Sequence, residues 1–413
     1  MAVKSNRFAL YILMFNMFIA MSGIGLIIPI MPGFLDTFGA AGQVFGFLIA
    51  TFAFAQFLFS PLSGNLSDKY GRKKLIIFGL VVFGVSQLIF GLADHLWVLF
   101  AARFLSGFGS AFLVPPMMAF VADITTFEER GKGMGWLGAS MSLGFMIGPS
   151  IGGFLANVSI QFPFFVAFGA AIIAAVSSAF ILPDPHAAKQ PVKEMEKEEK
   201  KEGMPRENVI MQLRRSASMP YFVLLIIMLV FSFGLANFQS TISFYVDKKY
   251  NYTPSDIAVL LTVGGFIGVI VQTFVVDPLF KRFGEMQVIL VNLAVAAISM
   301  IGILFVHTFW TILLVATFFF TATSLLRPAI NTLISKMAGD GQGFAAGLMN
   351  AYMSLGNMVG PALAGTLFDV NMAYPYVAGM LILSGCLTIS AVWSSRNREL
   401  LHRLQSHKVQ PAG

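Results

Sequence analysis

Charge is what this chain has least of. Asp, Glu, Lys and Arg make up 11% of its 413 residues, against roughly 25% in an ordinary soluble domain. Hydrophobic residues make up 57%. A water-soluble fold of this length buries a large core, but it cannot hide that much apolar surface. Cysteine is nearly absent too. The single Cys386 excludes an internal disulfide and a cysteine-based metal centre. The five histidines (His95, His186, His307, His402 and His407) are scattered over expected helix ends, a linker and a tail, so no ligand set gathers. The chain shows no metal triad, no nucleophile paired with a base and no nucleotide loop; Gly107-Phe-Gly109 reads as helix packing. These absences argue against an enzyme, a bound cofactor or a metal.

Long uncharged runs fill the chain instead. Phe8 to Leu35 and Gln43 to Ser67 contain no charged residue, and about 20 apolar residues suffice to cross a bilayer. The first run follows Lys4 and Arg7 but is far longer than a secretory h-region of about 7–15 residues. It ends in Pro29-Ile-Met-Pro32 and reads as a retained first span. The pattern predicts an all-α membrane protein with twelve helices. They run over 8–33, 43–67, 74–93, 97–121, 133–156, 162–182, 220–246, 256–278, 286–306, 309–335, 343–368 and 373–395. The expected organisation is a first six-helix bundle over 1–183, a linker over 184–219, a second bundle over 220–396 and a tail over 397–413. Glu194 to Glu202 is dense in charge and reads as part of a flexible linker.

The two bundles carry matching landmarks. Gly71 and Gly284, Trp97 and Trp310, and Pro115 and Pro328 are each 213 residues apart. Gly144-Phe-Met-Ile-Gly148-Pro149-Ser-Ile-Gly152-Gly153 returns as Gly356-Asn-Met-Val-Gly360-Pro361-Ala-Leu-Ala-Gly365. Parallel six-helix repeats place a substrate path between them. Small residues four apart let helix backbones touch, and a proline removes a helix hydrogen bond. Gly144, Gly148, Pro149, Gly152, Gly356, Gly360 and Pro361 are therefore candidate helix-packing positions.

With the N-terminus inside, 23 of the 27 basic residues fall in internal segments. That bias predicts both termini on the cytoplasmic side of the membrane. It also accounts for the formal net charge of +7, which is topogenic and lipid-facing rather than a footprint for nucleic acid.

The loop Gly64-Asn-Leu-Ser-Asp68-Lys69-Tyr-Gly71-Arg72-Lys73-Lys74 resembles the signature between helices two and three of the major facilitator superfamily. Gly64 is expected to admit a close helix neighbour, and Arg72 to pair with Asp123. The resemblance implies a gating latch in which Asp68 caps the eleventh helix, near Gln342 or Gly343. The second-half loop, Asp277-Pro-Leu-Phe-Lys281-Arg282-Phe-Gly284, is degraded, so an asymmetric latch is expected. Arg103 in Arg103-Phe-Leu-Ser-Gly107 is similar to the arginine motif of helix four in proton-coupled members. The Gly-Pro phrase of helix five resembles that of the twelve-span drug:proton antiporters. So do Gly23 to Pro32, Phe233 to Phe238, Arg327 to Asn331 and Leu367-Phe-Asp369. The nearest pattern is that of Gram-positive quinolone and multidrug efflux transporters, which implies export of bulky amphipathic drugs against inward protons.

One departure stands out. Where that subgroup has a glutamate in helix seven this chain has Gln239, and where it has an aspartate in helix ten this chain has Ser324. An amide and a hydroxyl do not titrate near neutral pH. Proton coupling then uses Asp36, Asp123 or another boundary acid, with Arg103, or it differs in kind, with sodium an alternative. Polar groups within spans are costly to hide. Asn16, Gln56, Arg103, Ser142, Gln239, Ser324, Arg327 and Asn331 are thus expected to line the substrate path. Met117, Phe145 and Phe238 are expected to supply an adaptable apolar wall. The expected partners are drug-like amphipaths, protons and the lipid bilayer, handled by a monomer. The alternative reading is a single-substrate exporter or importer of a metabolite, sugar or lipid.

Overall fold

A computed structural model describes residues 2–125, 127–183, 209–338 and 342–406 of the chain. Among them there are helices and connections but no strands. Span one is Ala2–Gly25 continued by Ile27–Asp36; spans two and three are Gly42–Tyr70 and Arg72–Gly91. Span four is Leu96–Ala111 continued by Val114–Ile124, and spans five and six are Phe127–Leu155 and Phe162–Ile181. The second set is span seven (Phe222–Tyr250), eight (Pro254–Phe283), nine (Glu285–Gly302), ten (Phe309–Ala338), eleven (Gln342–Val370) and twelve (Tyr374–Arg396). Short helices Val209–Ser216 and Arg398–Ser406 flank that set. The central charged run and most of the linker lie outside the described residues.

Eleven of the twelve spans are long and apolar enough to cross a bilayer. Span eleven has the length, 29 residues, but its glycines and Asn350 and Asn357 dilute its hydropathy. Several helices outrun the expected apolar stretch: span eight reaches Phe283 and span ten reaches Ala338. Hydropathy falls where lysine and arginine begin, whereas the backbone hydrogen-bond ladder continues past that point. Large side chains such as Phe180 (86% exposed) and Phe274 (73%) point outward from the packed helices. That is the surface a helix offers to lipid, where no water penalises it.

Glycine and proline punctuate the helices. Gly71 and Gly284 start spans three and nine with φ of 97° and 81°. This backbone region is open to glycine and strained for other residues, which explains the landmark pair. Pro115-Pro116 breaks span four after Ala111, because consecutive prolines remove two amide donors. Its counterpart, the single Pro328, leaves span ten continuous.

The chain divides into two compact units. Unit one comprises Met1–Ala40, Leu48–Arg206 and Asn251–Val259; unit two comprises Ala41–Phe47, Glu207–Tyr250 and Leu260–Gly413. In unit one, span five packs its glycine face on span one. A Cβ added at Gly144 would lie 2.5 Å from the Phe18 carbonyl oxygen, and one at Gly148 would lie 2.7 Å from that of Ser22. Unit two repeats the arrangement between spans eleven and seven. There the Cβ of Gly356 would meet the Leu229 carbonyl at 2.5 Å and that of Gly360 the Phe233 carbonyl at 2.7 Å. Within unit two the first turn of span two also rests on span eleven, and the Gln43 N–H donates to Asp369 Oδ2 at 3.0 Å.

Candidate functional site

Besides a mainly apolar groove between spans nine and ten, a cavity with polar lining lies inside unit two. It measures about 180 Å³ and is lined by Met228 of span seven, Arg327 and Asn331 of span ten, and Ala346, Met349, Asn350 and Met353 of span eleven. Helical spacing creates it. Arg327 and Asn331 are four apart, and Ala346, Met349, Asn350 and Met353 follow the i, i+3, i+4, i+7 pattern of one helix face. No carboxylate lines it, and no ion pair joins Arg327 to a described residue. The sequence pointed to Arg327 and Asn331. It missed Asn350 and the three methionines, although the span-eleven spacing carries the signal.

The other nominated residues are placed elsewhere. Gln239 is half-buried on span seven. Ser324 Oγ donates to the Gly268 carbonyl of span eight at 3.0 Å and to the Thr321 carbonyl at 2.8 Å, so its hydroxyl joins two helices. Phe238 is fully buried and stacks on Phe319 at 4.0 Å between ring centroids, with Phe320 and Tyr376 edge-on. It belongs to the packed interior of unit two, because aromatic rings that interlock leave no open wall.

In unit one, Asn16 is fully buried and its Nδ2 donates to Ser178 Oγ at 2.7 Å, while its Oδ1 has no partner among the described residues. Met117 is fully buried in the apolar core, with Phe145 packed at the edge of that core. Gln56 Nε2 donates to Ser110 Oγ at 2.9 Å, bridging spans two and four. Ser142 and Asp36 are exposed.

Arg103 is 4% exposed, its Nε has no hydrogen-bond partner among the described residues, and its guanidinium lies 5.0 Å from the centroid of the Phe90 ring. Phe90 in turn packs against Phe34 and Phe164. An aromatic face is the weak substitute for a counter-ion that this part of the unit offers.

The loop signature forms a compact charge cluster. Arg72 binds Asp68 Oδ1 through Nη1 at 2.7 Å and Asp123 Oδ2 through Nε at 3.1 Å, and it also donates to Ser67. Asp68 is 58% exposed on its side chain. The side chains of Gln342 and Gly343, its expected partners at span eleven, lie outside the described residues. At Gly64 an added Cβ would meet nothing within 4 Å, so the close approach expected of that glycine is not found there. A second cluster, not foreseen, lies in unit two: Lys336 Nζ is 2.6 Å from Glu285 Oε1, and the Glu285 side chain is 2% exposed.

Twelve long helices in two similarly built sets, with glycine-faced helix pairs and ion pairs at the loop ends, make up a multi-pass helical membrane protein. The profile of the Major Facilitator Superfamily matches residues 13–361 and 274–411, and the chain belongs to that family. It is 41% identical to Multidrug resistance protein 2 of Bacillus subtilis (strain 168) over 399 residues, covering 96% of this chain and 98% of that protein. It is 35% identical to the Quinolone resistance protein NorA of Staphylococcus aureus (strain COL), covering 92% and 95%. Among solved structures, a bacterial homolog of the human lysosomal transporter Spinster, in an inward-facing and occupied conformation, superposes with a TM-score of 0.71. The identity is 14% and 96% of each chain is covered. The human organic anion transporter MFSD10 gives 0.66 at 18% identity, covering 93% of this chain and 99% of that one. At such identities these structures speak for the fold alone.

Proposed function

We propose that this protein is a secondary active exporter of varied amphipathic compounds working by alternating access. The observation that carries the reading is likeness along nearly the whole length to bacterial multidrug and quinolone resistance proteins. The methionine-lined cavity of unit two suits it physically, since unbranched thioether side chains repack around ligands of different shape. Both termini lie on the cytoplasmic side of the plasma membrane in this reading, as the distribution of Lys and Arg favours, and the working unit is a monomer. Transport is driven by proton antiport, with sodium as the alternative ion. With Gln239 and Ser324 in spans seven and ten, the coupling proton resides on boundary acids such as Asp36 or Asp123 near the loop ends. Asp68, Arg72 and Asp123 form the latch that closes the loop side during each cycle.

The deciding measurement is efflux of a fluorescent amphipath from inverted membrane vesicles under an imposed pH or sodium gradient. Gradient-driven movement of several unrelated dyes is expected. Absence of transport under both gradients would sink the proposal. The missing acids favour a second reading, a facilitator for one metabolite, sugar or lipid. Transport of a single compound with no gradient dependence would establish it instead.

A further inference from the structure

We propose that the Arg327 cavity seats the anionic group of the transported amphipath, so that this transporter selects carboxylate-bearing or zwitterionic compounds over purely cationic ones. The inference rests on the export reading and names its substrate class.

Four observations carry it. Arg327 lines the cavity, is exposed rather than packed away, and has no ion pair among described residues. The other polar lining side chains, Asn331 and Asn350, are neutral amides, which donate and accept hydrogen bonds without cancelling the charge. The rest of the lining is Met228, Met349, Met353 and Ala346, a surface for an apolar body. Finally, the volume of about 180 Å³ is below the range of roughly 300–1,000 Å³ that holds a whole drug-sized molecule. It fits a head group and the first ring, with the remainder extending out of the cavity.

The physics sets the sign. A guanidinium held within a membrane span is costly without a counter-ion, and the planar fork of arginine matches a carboxylate bidentately. A substrate anion supplies the missing partner. An ammonium in the same place meets like charge where the surrounding dielectric screens it poorly. A carboxylate or sulfonate solute and an anionic lipid head group share this chemistry.

The test uses purified full-length protein in a neutral detergent and isothermal calorimetry at pH 7.5. The probes are three compounds with one body: 1-naphthaleneacetate, its methyl ester, and 1-naphthylmethylamine. The carboxylate is expected to bind at least tenfold more tightly than the ester, with the amine weakest. Arg327→Gln should bring all three within about threefold, and Arg327→Lys should retain part of the carboxylate preference. Should Arg327→Gln fail to purify as a single species, Asn350→Asp answers the same question. It places a counter-charge at an exposed position of the cavity lining and should erase the preference. Competition by phosphatidylglycerol against the carboxylate would identify a lipid source for the anion, and its absence a soluble one.

Wild-type protein that binds the amine as tightly as the carboxylate would overturn the inference. So would a carboxylate preference that survives Arg327→Gln, or that survives Asn350→Asp where Arg327→Gln cannot be purified. Failure of vesicle efflux with the binding preference intact would sink the export reading alone.

Discussion

Lys336 Nζ lies 2.6 Å from Glu285 Oε1, and these two residues hold the positions that Asp123 and Arg72 hold 213 residues earlier, with the charges exchanged. Each pair spans 51 residues of sequence. The second repeat therefore keeps the ion pair that ties the start of its third helix to the end of its fourth, although its loop sequence looks eroded. A pair with reversed charges preserves the Coulomb energy while changing which side chain carries which sign.

The two pairs are not equally exposed, and their mutants should differ accordingly. Arg72 has both Asp68 and Asp123, and Asp123 is 23% exposed on its side chain. Glu285 is 2% exposed, so Lys336→Gln leaves a buried carboxylate without its ammonium. Removing one partner of a buried pair costs about 3–5 kcal/mol, whereas Asp123→Asn should cost about 1 kcal/mol or less. Thermal unfolding in detergent checks the order. The exchanged double mutant Glu285→Lys with Lys336→Glu is expected to recover most of the loss.

Gly148 and Gly64 offer a contrast in packing. A Cβ at Gly148 would fall 2.7 Å from the Ser22 carbonyl oxygen, so Gly148→Ala must push span five away from span one. Overpacking of this kind costs about 1–3 kcal/mol. Gly64→Ala meets open space and should leave the unfolding midpoint unchanged or slightly raised. Equal behaviour of the two variants in a thermal-shift assay would contradict the glycine contact.

Arg103→Met separates transport from stability. The buried guanidinium gains an aromatic contact with Phe90 but carries an unpartnered Nε. A cation–π contact is worth about 0.5–2 kcal/mol, and placing arginine in a span costs about 2.5 kcal/mol. The difference leaves the variant about 0.5–2 kcal/mol more stable than the wild type. Vesicle efflux by the variant should fall at least tenfold. A large loss of stability with normal efflux would assign Arg103 a packing role.

Acids restored at the two unusual positions should not behave alike. Gln239 is half-buried, and glutamate has nearly the same size and shape. Gln239→Glu is expected to unfold near the wild-type temperature and to add substrate-linked proton exchange, read with a pH electrode on purified protein. Ser324 shares its hydroxyl hydrogen between the Gly268 carbonyl of span eight and the Thr321 carbonyl of its own helix. Aspartate there turns a donor into an acceptor facing acceptors, at a cost of about 2 kcal/mol or more. A lower unfolding temperature for Ser324→Asp than for Gln239→Glu is the expected result.

The sequence alone determined the number of spans, the two repeats and the glycine faces. Each is a one-dimensional pattern: uncharged length, a constant offset, and small residues four apart. Gly71 and Gly284 were legible for the same reason, since a backbone conformation reserved for glycine leaves its mark at one position. Tertiary structure decided which polar side chains meet open space. Asn16, Ser324 and Gln56 looked like lining residues because polar groups in a membrane need partners. Ser178, Gly268 and Ser110, far along the chain, supply those partners. Phe238 was lost to a ring cluster for the same reason, while Arg327 kept an open face because three helices, seven, ten and eleven, leave a gap beside it. Composition sets the cost of burying a group, but only the packing of distant helices settles whether that cost is met inside the protein or left for a ligand.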